Sequence, residues 1–412
     1  MPVGAGLVIN GITTYGFLTI AKNALGDAAY DPLAALWGLI FILGAGVFQS
    51  LEQEVARATA QRATQGVGSA PVLKKAAQIG AGFLAVVWVG ILIAWPLGLH
   101  SILDDNVVLL VALMLALTSF WIAFPLRGLL GGRGEFGRYG LYFSFEGGMR
   151  FLCAAVLAIV AAGVGPYGLA AAAAPALGIG LATLGKRPLA QPGPPAKFSE
   201  VSESLGWLLA ASVLTNALLN AGPVIVKAIS DTEGDAGRFL NGLIIARVPL
   251  FFYQAVQASL LPLLSSLVGQ ERHNEFRRVL LRLVGVVSAI ATFGVLFAVV
   301  AGPFIVEIVF DDELSSTDMA LMAGASGAFM MAMTFGQALI ALHRMRRVVL
   351  AWFIGVGVMA VVAALGDDVF LRVELGLLLG AASAALTMVL LLPRQYLWGP
   401  RAPRSPEPLT HG

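Results

Sequence analysis

A glutamate and an arginine four residues apart interrupt an otherwise apolar run, YFSFEGGMRFLCAAV. Residues at this spacing share one face of a helix, so Glu146 and Arg150 can form an ion pair with the acid on the favourable N-terminal side. The guanidinium group presents a planar fork of donors that suits a phosphate oxygen. Glu146 would hold the arginine in place while the site is empty, or exchange a proton. The alternative is a structural ion pair beside the small residues Gly147 and Gly148.

A second arginine lies in NGLIIARVPLFFYQAVQASLLPLL, with no acid nearby in the sequence. Pro249, two positions after Arg247, weakens the local helical hydrogen bonding. An intramembrane arginine without a local partner suits a cleft that receives an anion. Alternatively, Arg247 reaches the outer membrane interface or pairs with a distant acid such as Glu307.

Further polar residues are predicted to line or flank the same site. Asn216, Asn220 and Gln254 could hydrogen-bond a polar cargo, although ordinary interhelical hydrogen bonds explain them equally well. Lys22 and Lys227 end corresponding apolar segments. They either extend their ammonium groups to the membrane interface or form a pair of outer cations that receive a departing anion.

An acid-rich helix end, SLEQEVAR, contains Glu52, Glu54 and Arg57. Glu54 and Arg57 are three residues apart and can therefore form an ion pair. We consider two interpretations of this segment. It is a cytoplasmic gate or a proton site, or it is the solvated end of a helix.

The hydrophobic composition of the chain indicates that these residues belong to a membrane protein. The chain has 412 residues, of which 58% are hydrophobic and 12% charged, and its mean hydropathy is +0.84. Apolar runs of about 20 residues recur along its whole length. We therefore predict an all-α integral membrane protein with twelve transmembrane helices, at 3–22, 34–56, 76–98, 106–127, 139–163, 165–185, 205–227, 239–268, 279–301, 318–342, 348–366 and 373–393. The first is predicted to be a retained span and not a signal peptide.

The connections between the predicted spans alternate between basic and acidic. Most of the basic residues fall in 57–75, 127–138, 186–204, 269–282, 343–347 and 394–412, whereas the other connections are mainly acidic. Positively charged connections remain on the cytoplasmic side, so both termini are predicted to be cytoplasmic. This topology also accounts for most of the basic residues without any binding role.

A proline-rich segment, KRPLAQPGPPAKFSEVSES, divides the twelve predicted spans into six and six. We predict an N-terminal six-helix bundle at 1–185, a cytoplasmic linker at 186–204, a C-terminal six-helix bundle at 205–393 and a cytoplasmic tail at 394–412. Lys22 and Lys227 occupy similar places in the two halves, as do Arg138 and Arg347. An even number of spans per half implies a parallel pseudo-two-fold repeat around a central cleft.

The segment KNALGDAAYDPLAALWGLIFILGAGVFQSLEQEVAR resembles the opening of bacterial oligosaccharide and polysaccharide flippases, in which an LG…Y turn precedes a span that ends in acids and an arginine. ARVPLFFYQAVQASLLPLLSSL, followed by NEFRRVLLRL, is also similar to them. The superfamily includes multidrug and toxin extrusion exporters and lipid II flippases, which usually have two additional C-terminal helices. The resemblance implies that Arg150 and Arg247 bind the pyrophosphate of a polyprenyl-linked glycan.

The resemblance implies a function in cell-surface polysaccharide assembly. We predict translocation of a polyprenyl-pyrophosphate-linked oligosaccharide from the inner to the outer leaflet of a bacterial inner membrane by alternating access. Glycan polymerases and glycosyltransferases would be its partners, together with the lipid bilayer. A lipid II-type or drug/cation exporter is the first alternative, and an integral membrane glycosyltransferase or polymerase is the second. We find no nucleotide-binding loop, metal-ligand cluster or nucleophile–base pair in the sequence, so we predict no enzyme activity, cofactor or nucleic-acid partner.

Overall fold

The computed structural model describes residues 2–185, 190–197, 205–270 and 272–397. Over these ranges the regular structure is entirely helical. The α-helices are α1 Pro2–Leu39, α2 Gly46–Thr64, α3 Ala70–Ala94, α4 Leu99–Ile102, α5 Val107–Gly132, α6 Phe136–Ile159, α7 Val164–Ala182, α8 Leu205–Ile229, α9 Asp235–Ala246, α10 Val248–Gly269, α11 His273–Phe310, α12 Ser316–Ala341, α13 Met345–Ala363, α14 Val369–Leu391 and α15 Arg394–Leu397. A π-helical segment, Ile40–Ala45, joins α1 to α2.

The first helix bends back on itself at Gly26, whose φ of 73° and ψ of 173° lie outside the helical region. Glycine adopts a positive φ without the steric cost that a Cβ would add. The rings of Phe17 and Trp37, on either side of this kink, lie 6.0 Å apart. A straight helix would separate them by about 30 Å. The 63-residue apolar segment Pro2–Thr64 therefore crosses the membrane twice, as predicted.

The eighth predicted span, 239–268, is not one continuous helix. It is divided into α9 and α10 at Arg247, which has φ −95° and ψ −3°. Pro249 cannot donate a backbone hydrogen bond, so the interruption falls where the helical ladder is weakest. Ten stretches of the described chain are long and apolar enough to span a membrane. Counting Pro2–Thr64 as two passes and α9 with α10 as another gives the twelve predicted passes.

Several helices begin at side chains that satisfy their free N–H groups. Asn106 accepts hydrogen bonds from the backbone of Val108 and Leu109 at the start of α5. Ser315 and Asp318 form a reciprocal capping box at α12. Since the first N–H groups of a helix have no partner within it, such caps fix where the helix begins.

The passes form two lobes with separate apolar cores. We call passes one to six the N lobe and passes seven to twelve the C lobe. One core is built mainly from α1, α2, α5 and α7, and the other from α8, α9 and α11 to α14. The all-α fold with two lobes is therefore confirmed, whereas the domain boundaries at 185 and 205 stay predictions.

Part of the predicted linker lies against the N lobe. The backbone N–H of Ala70 donates to the carbonyl of Gln191 at 3.0 Å. Arg62 Nη1 donates to the carbonyls of Gly68 and Pro194, both at 3.0 Å. The described linker residues 190–197 are thus held against the turn between α2 and α3.

Candidate functional site

A central cavity of about 300 Å³ lies between the lobes. Its walls come from α1, the π-helical segment, α5 and α6 of the N lobe and from α8 to α10 of the C lobe. Aromatic rings contribute much of the surface, and charged and amide groups are grouped on it. The polar and aromatic lining residues are Asn10, Thr14, Tyr15, Trp37, Phe41, Phe120, Phe124, Arg127, Phe143, Glu146, Arg150, Asn216, Asn220 and Arg247.

The predicted ion pair on α6 is present and faces this cavity. Arg150 Nη2 lies 2.8 Å from Glu146 Oε1. Arg150 Nη1 also donates to Thr14 Oγ1 at 2.9 Å, and its guanidinium lies over the ring of Trp37. Asn10 donates to the second oxygen of Glu146 at 3.3 Å. The pair is buried and held by α1, so it does not face lipid.

The cavity contains a third arginine, Arg127, which the sequence pattern assigns to the basic connection 127–138. That assignment is wrong, because α5 continues to Gly132 and carries Arg127 into the cavity wall. The guanidinium lies 4.4 Å from the ring centroid of Phe124 and 5.0 Å from those of Tyr142 and Phe143. Stacking on aromatic faces is typical of buried arginine and orients its donors.

Glu52 is the partner of Arg127. Arg127 Nη2 lies 3.1 Å from Glu52 Oε2, and the hydroxyl of Tyr139 donates to Glu52 Oε1 at 2.6 Å. Glu52 and Glu54 are both buried, so the interpretation of this segment as a solvated helix end is wrong. The predicted pairing of Glu54 with Arg57 is present at 2.7 Å, outside the central cavity. A gating or proton-coupling role for these residues stays a prediction.

Arg247 enters the cavity from the C lobe at the break between α9 and α10. In the described part of the chain no carboxylate, including Glu307, lies within ion-pair distance, and Nη1 donates to Asn220 Oδ1 at 3.4 Å. Asn216 also faces the cavity and donates to Gln49 of the other lobe at 3.4 Å. The side chain of Gln254 lies outside the described residues.

The charges in and beside the cavity do not cancel. Three guanidinium groups belong to this site, and Glu52 and Glu146 are the carboxylates that pair with two of them. One positive charge therefore remains. The Nε atoms of Arg127 and Arg150 are buried and have no hydrogen-bond partner among the described residues. Unsatisfied donors beside surplus positive charge favour an anionic ligand.

The structure places Lys22 and Lys227 away from the central cavity. Lys22 is only 4% exposed and pairs with Asp27 and, at 2.8 Å, with Asp312. Lys227 lies 2.9 Å from Asp104. The interpretation that these ammonium groups extend to the membrane interface is therefore wrong, because carboxylates of both lobes hold Lys22 and acids of the N lobe hold Lys227.

A metal centre finds no support in the described residues. They contain no group of three or more His, Cys, Asp or Glu side chains placed to hold an ion. The chemistry available in the central cavity is consequently that of guanidinium, carboxylate, amide and aromatic groups.

This chain is similar in sequence to uncharacterised mycobacterial proteins. No family model matches it. It is 26% identical over 364 residues to an uncharacterised protein of Mycobacterium tuberculosis strain H37Rv, covering 85% of this chain and 81% of that protein. An uncharacterised protein of strain CDC 1551 matches with the same values.

Solved structures of similar fold are transporters. An inward-facing multidrug resistance MATE family transporter of the MOP superfamily matches with a TM-score of 0.74 at 12% identity, covering 92% of this chain and 93% of that one. An outward-facing conformation of such a transporter gives 0.68 at 12% identity, with 94% and 92% covered. A MATE structure in a bent conformation gives 0.66 at 13% identity, with 95% and 92% covered. At this identity the likeness establishes the fold.

Proposed function

We propose that this protein is a membrane exporter that moves a polyprenyl-pyrophosphate-linked oligosaccharide from the inner to the outer leaflet of a bacterial cytoplasmic membrane by alternating access. The observation that carries the proposal is the central cavity between two lobes, where three arginines meet two carboxylates. A surplus cation within the membrane-spanning part of a protein, where the surroundings are less polar than bulk water, attracts a compact anion. The lipid tail would stay in the bilayer, so the cavity need hold only the charged head and nearby sugars.

The three arginines would contact the anion from both lobes. Arg127 and Arg150 present donors from the N lobe, and Arg247 approaches from the C lobe. A pyrophosphate between them would accept hydrogen bonds from both sides and thereby link the lobes. Glu52 and Glu146 keep the two N-lobe arginines compensated when no anion is bound. Asn216 and Asn220 would add amide donors.

The cavity also suits the sugar part of the cargo. The rings of Trp37, Phe41 and Phe120 provide flat apolar surfaces on the N-lobe side. A volume of about 300 Å³ is at the small end of ligand pockets, which fits a head group better than a whole glycan. Lys22 and Lys227 would receive the anion only after the lobes part at their end.

A drug or cation exporter is the second candidate, because aromatic surfaces also attract organic cations. The solved structures of similar fold include multidrug resistance transporters. The surplus positive charge opposes this candidate. Replacement of Arg150 by alanine would leave cation efflux intact or increase it.

The test is leaflet transfer in proteoliposomes with a fluorescent polyprenyl-pyrophosphate sugar. We expect Arg127→Ala, Arg150→Ala and Arg247→Ala each to lower the transfer rate by about tenfold or more, since each removes a charge-assisted contact. Arg272→Ala is the matched control, because Arg272 is an exposed arginine outside the cavity. Equal transfer by all four variants would refute the anion site.

A second arm separates the two candidates. The same vesicles are loaded with ethidium, and its export is followed for the unmodified protein and for Arg150→Ala. Ethidium export without glycan transfer would replace the flippase proposal by the cation exporter. Glycan transfer by the unmodified protein supports the proposal. If transfer is lost in vesicles in which the protein is inserted in the opposite orientation, that loss supports the predicted orientation.

A further inference from the structure

Each lobe extends a lysine to the carboxylates of the other lobe. Lys22 of the N lobe lies 2.8 Å from Asp312 of the C lobe. Lys227 of the C lobe lies 2.9 Å from Asp104 and 3.4 Å from Asp31, both in the N lobe. The two lobes are thus joined by reciprocal ion pairs.

The partners occupy equivalent places in the two halves of the chain. Lys22 lies near the end of the first pass and Lys227 near the end of the seventh. Asp104 precedes α5, the fourth pass, and Asp312 precedes α12, the tenth. A lysine from the first pass of each half therefore meets an aspartate before the fourth pass of the other half. This is the pattern that a pseudo-two-fold axis along the membrane normal produces.

A buried hydrogen-bond network supports the Lys22 pair. Asn241 donates to the second oxygen of Asp312 at 2.7 Å and accepts from the hydroxyl of Tyr30 at 3.0 Å. Lys22, Asp312 and Asn241 are each less than a tenth exposed. Because removal of one partner leaves the other charge buried without compensation, a substitution at Lys22 or Asp312 destabilises the state in which the pair is closed.

Asp31 links the second pair to the backbone of the opposite lobe. Its Oδ1 accepts the N–H of Gly237 at 2.8 Å, while its Oδ2 faces Lys227. A Cβ on Gly237 would lie 2.6 Å from the ring of Tyr30, so the glycine allows the two lobes to meet here. Both of these partners of Asp31 belong to the C lobe, so both contacts break when the lobes part.

Among the described residues, the ion pairs that cross between the lobes lie at this end. Within the ranges that the structure describes, those of Lys22 with Asp312 and of Lys227 with Asp31 and Asp104 are the ones that cross. This end carries the acidic connections, opposite to Arg62 and the linker. The central cavity begins deeper in the protein.

We propose that these reciprocal lysine–aspartate pairs are a gate, which keeps the lobes closed at the acidic end and breaks each time the protein opens there. The proposal concerns the lobes and does not depend on which cargo is carried. It also predicts an asymmetry. On opening, Lys22 keeps Asp27 of its own lobe, whereas both acids that pair with Lys227 depart with the N lobe. Lys227 therefore contributes more to closure.

The test measures the distance between the lobes at this end. Spin labels are placed at Ala24 and Thr317, which are exposed on opposite lobes, in the full chain with Cys153→Ser, reconstituted in nanodiscs. Pulsed electron paramagnetic resonance gives the populations of short and long distances. Lys22→Met and Lys227→Met remove the charges while keeping side chains of similar length.

We expect the ratio of long to short distances to rise by roughly tenfold in Lys227→Met, and by less in Lys22→Met. The matched control is Arg238→Met, which breaks the ion pair with Asp235 on the same face but within the C lobe. That control should leave the distances unchanged. A larger effect in Arg238→Met than in the lysine variants would overturn the gate.

A milder variant guards against failure of the lysine variants to fold. Asp104→Asn changes a half-exposed side chain, and asparagine tolerates the positive φ of 51° at this position. It should shift the distances in the same direction by a smaller factor. Unchanged distances in Asp104→Asn and in every lysine variant that folds would refute the proposal, whether or not the protein transports the glycan.

Discussion

Replacement of Arg150 by methionine tests the ion pair in the cavity wall. The change keeps a long unbranched side chain and removes the charge. It breaks the 2.8 Å contact with Glu146, the 2.9 Å hydrogen bond to Thr14 and the contact with Trp37. Glu146 is 6% exposed and would keep the neutral amide of Asn10, at 3.3 Å, as a donor. The charge of a buried carboxylate is then left almost uncompensated.

The expected loss follows from that geometry. Breaking a buried ion pair by removing one partner costs about 3–5 kcal/mol. The hydrogen bond to Thr14 and the contact with Trp37 belong to the same guanidinium, so their contributions are included and not added. Arg272→Met breaks an exposed pair with Glu275 and should cost less than about 1 kcal/mol.

The measurement is the free energy of unfolding in mixed micelles, from an SDS titration followed by tryptophan fluorescence. The double variant Glu146→Gln, Arg150→Met should recover about 2–3 kcal/mol relative to Arg150→Met, because the stranded carboxylate is gone. A loss in Arg150→Met no larger than in Arg272→Met would refute the burial argument. Additive losses in the double variant would show that the two residues do not interact.

Three further changes test other parts of the structure. Glu374→Met should stabilise the protein by about 1–3 kcal/mol in thermal unfolding, because both carboxylate oxygens are buried without a hydrogen-bond partner in the described part of the chain and methionine carries no such polar atoms; destabilisation would contradict this. Gly193→Ala should speed proteolysis within 190–197, since its Cβ would lie 2.3 Å from a carbonyl oxygen, and an unchanged rate would count against the linker contact. Gly6→Ala should cost about 1–3 kcal/mol in the SDS titration, because its Cβ would lie 2.2 Å from the Gly140 carbonyl oxygen; Gly4→Ala, in open space, is the control.

Much of the architecture could be predicted because hydropathy and charge are strong signals in a membrane chain. Apolar runs of about 20 residues locate the passes, and the spacing of Glu146 and Arg150 indicates their contact. Pro249 predicts weakened helical hydrogen bonding beside Arg247, but a complete break is not predicted because hydropathy is continuous across this position. Only the backbone shows that Pro249 follows a break between two helices.

Arg127 shows why a site formed by tertiary contacts is not predicted from the order of residues along the chain. It lies at the end of an apolar run, where a basic residue ordinarily marks the cytoplasmic interface. Its position in the cavity wall depends on Glu52 from α2 and on Tyr139 and Tyr142 from α6. The aromatic residues near Arg127 were a usable signal, but their convergence required the packing of three helices.

The ion pairs in the wall of the cavity lie within one lobe, whereas the ion pairs at the acidic end join the two lobes. Arg127 and Arg150 are compensated by acids of their own lobe, and therefore stay compensated when the lobes part. Lys227 is compensated by acids of the opposite lobe and loses them. Opening at the acidic end would thus break the ion pairs of the proposed gate but leave the ion pairs of Arg127 and Arg150, at the proposed anion site, in place. Arg247 is the arginine that the C lobe contributes to the cavity. On the proposed function, a bound anion that contacts both lobes would therefore couple binding to opening mainly through Arg247, with Asn216 and Asn220 adding neutral contacts.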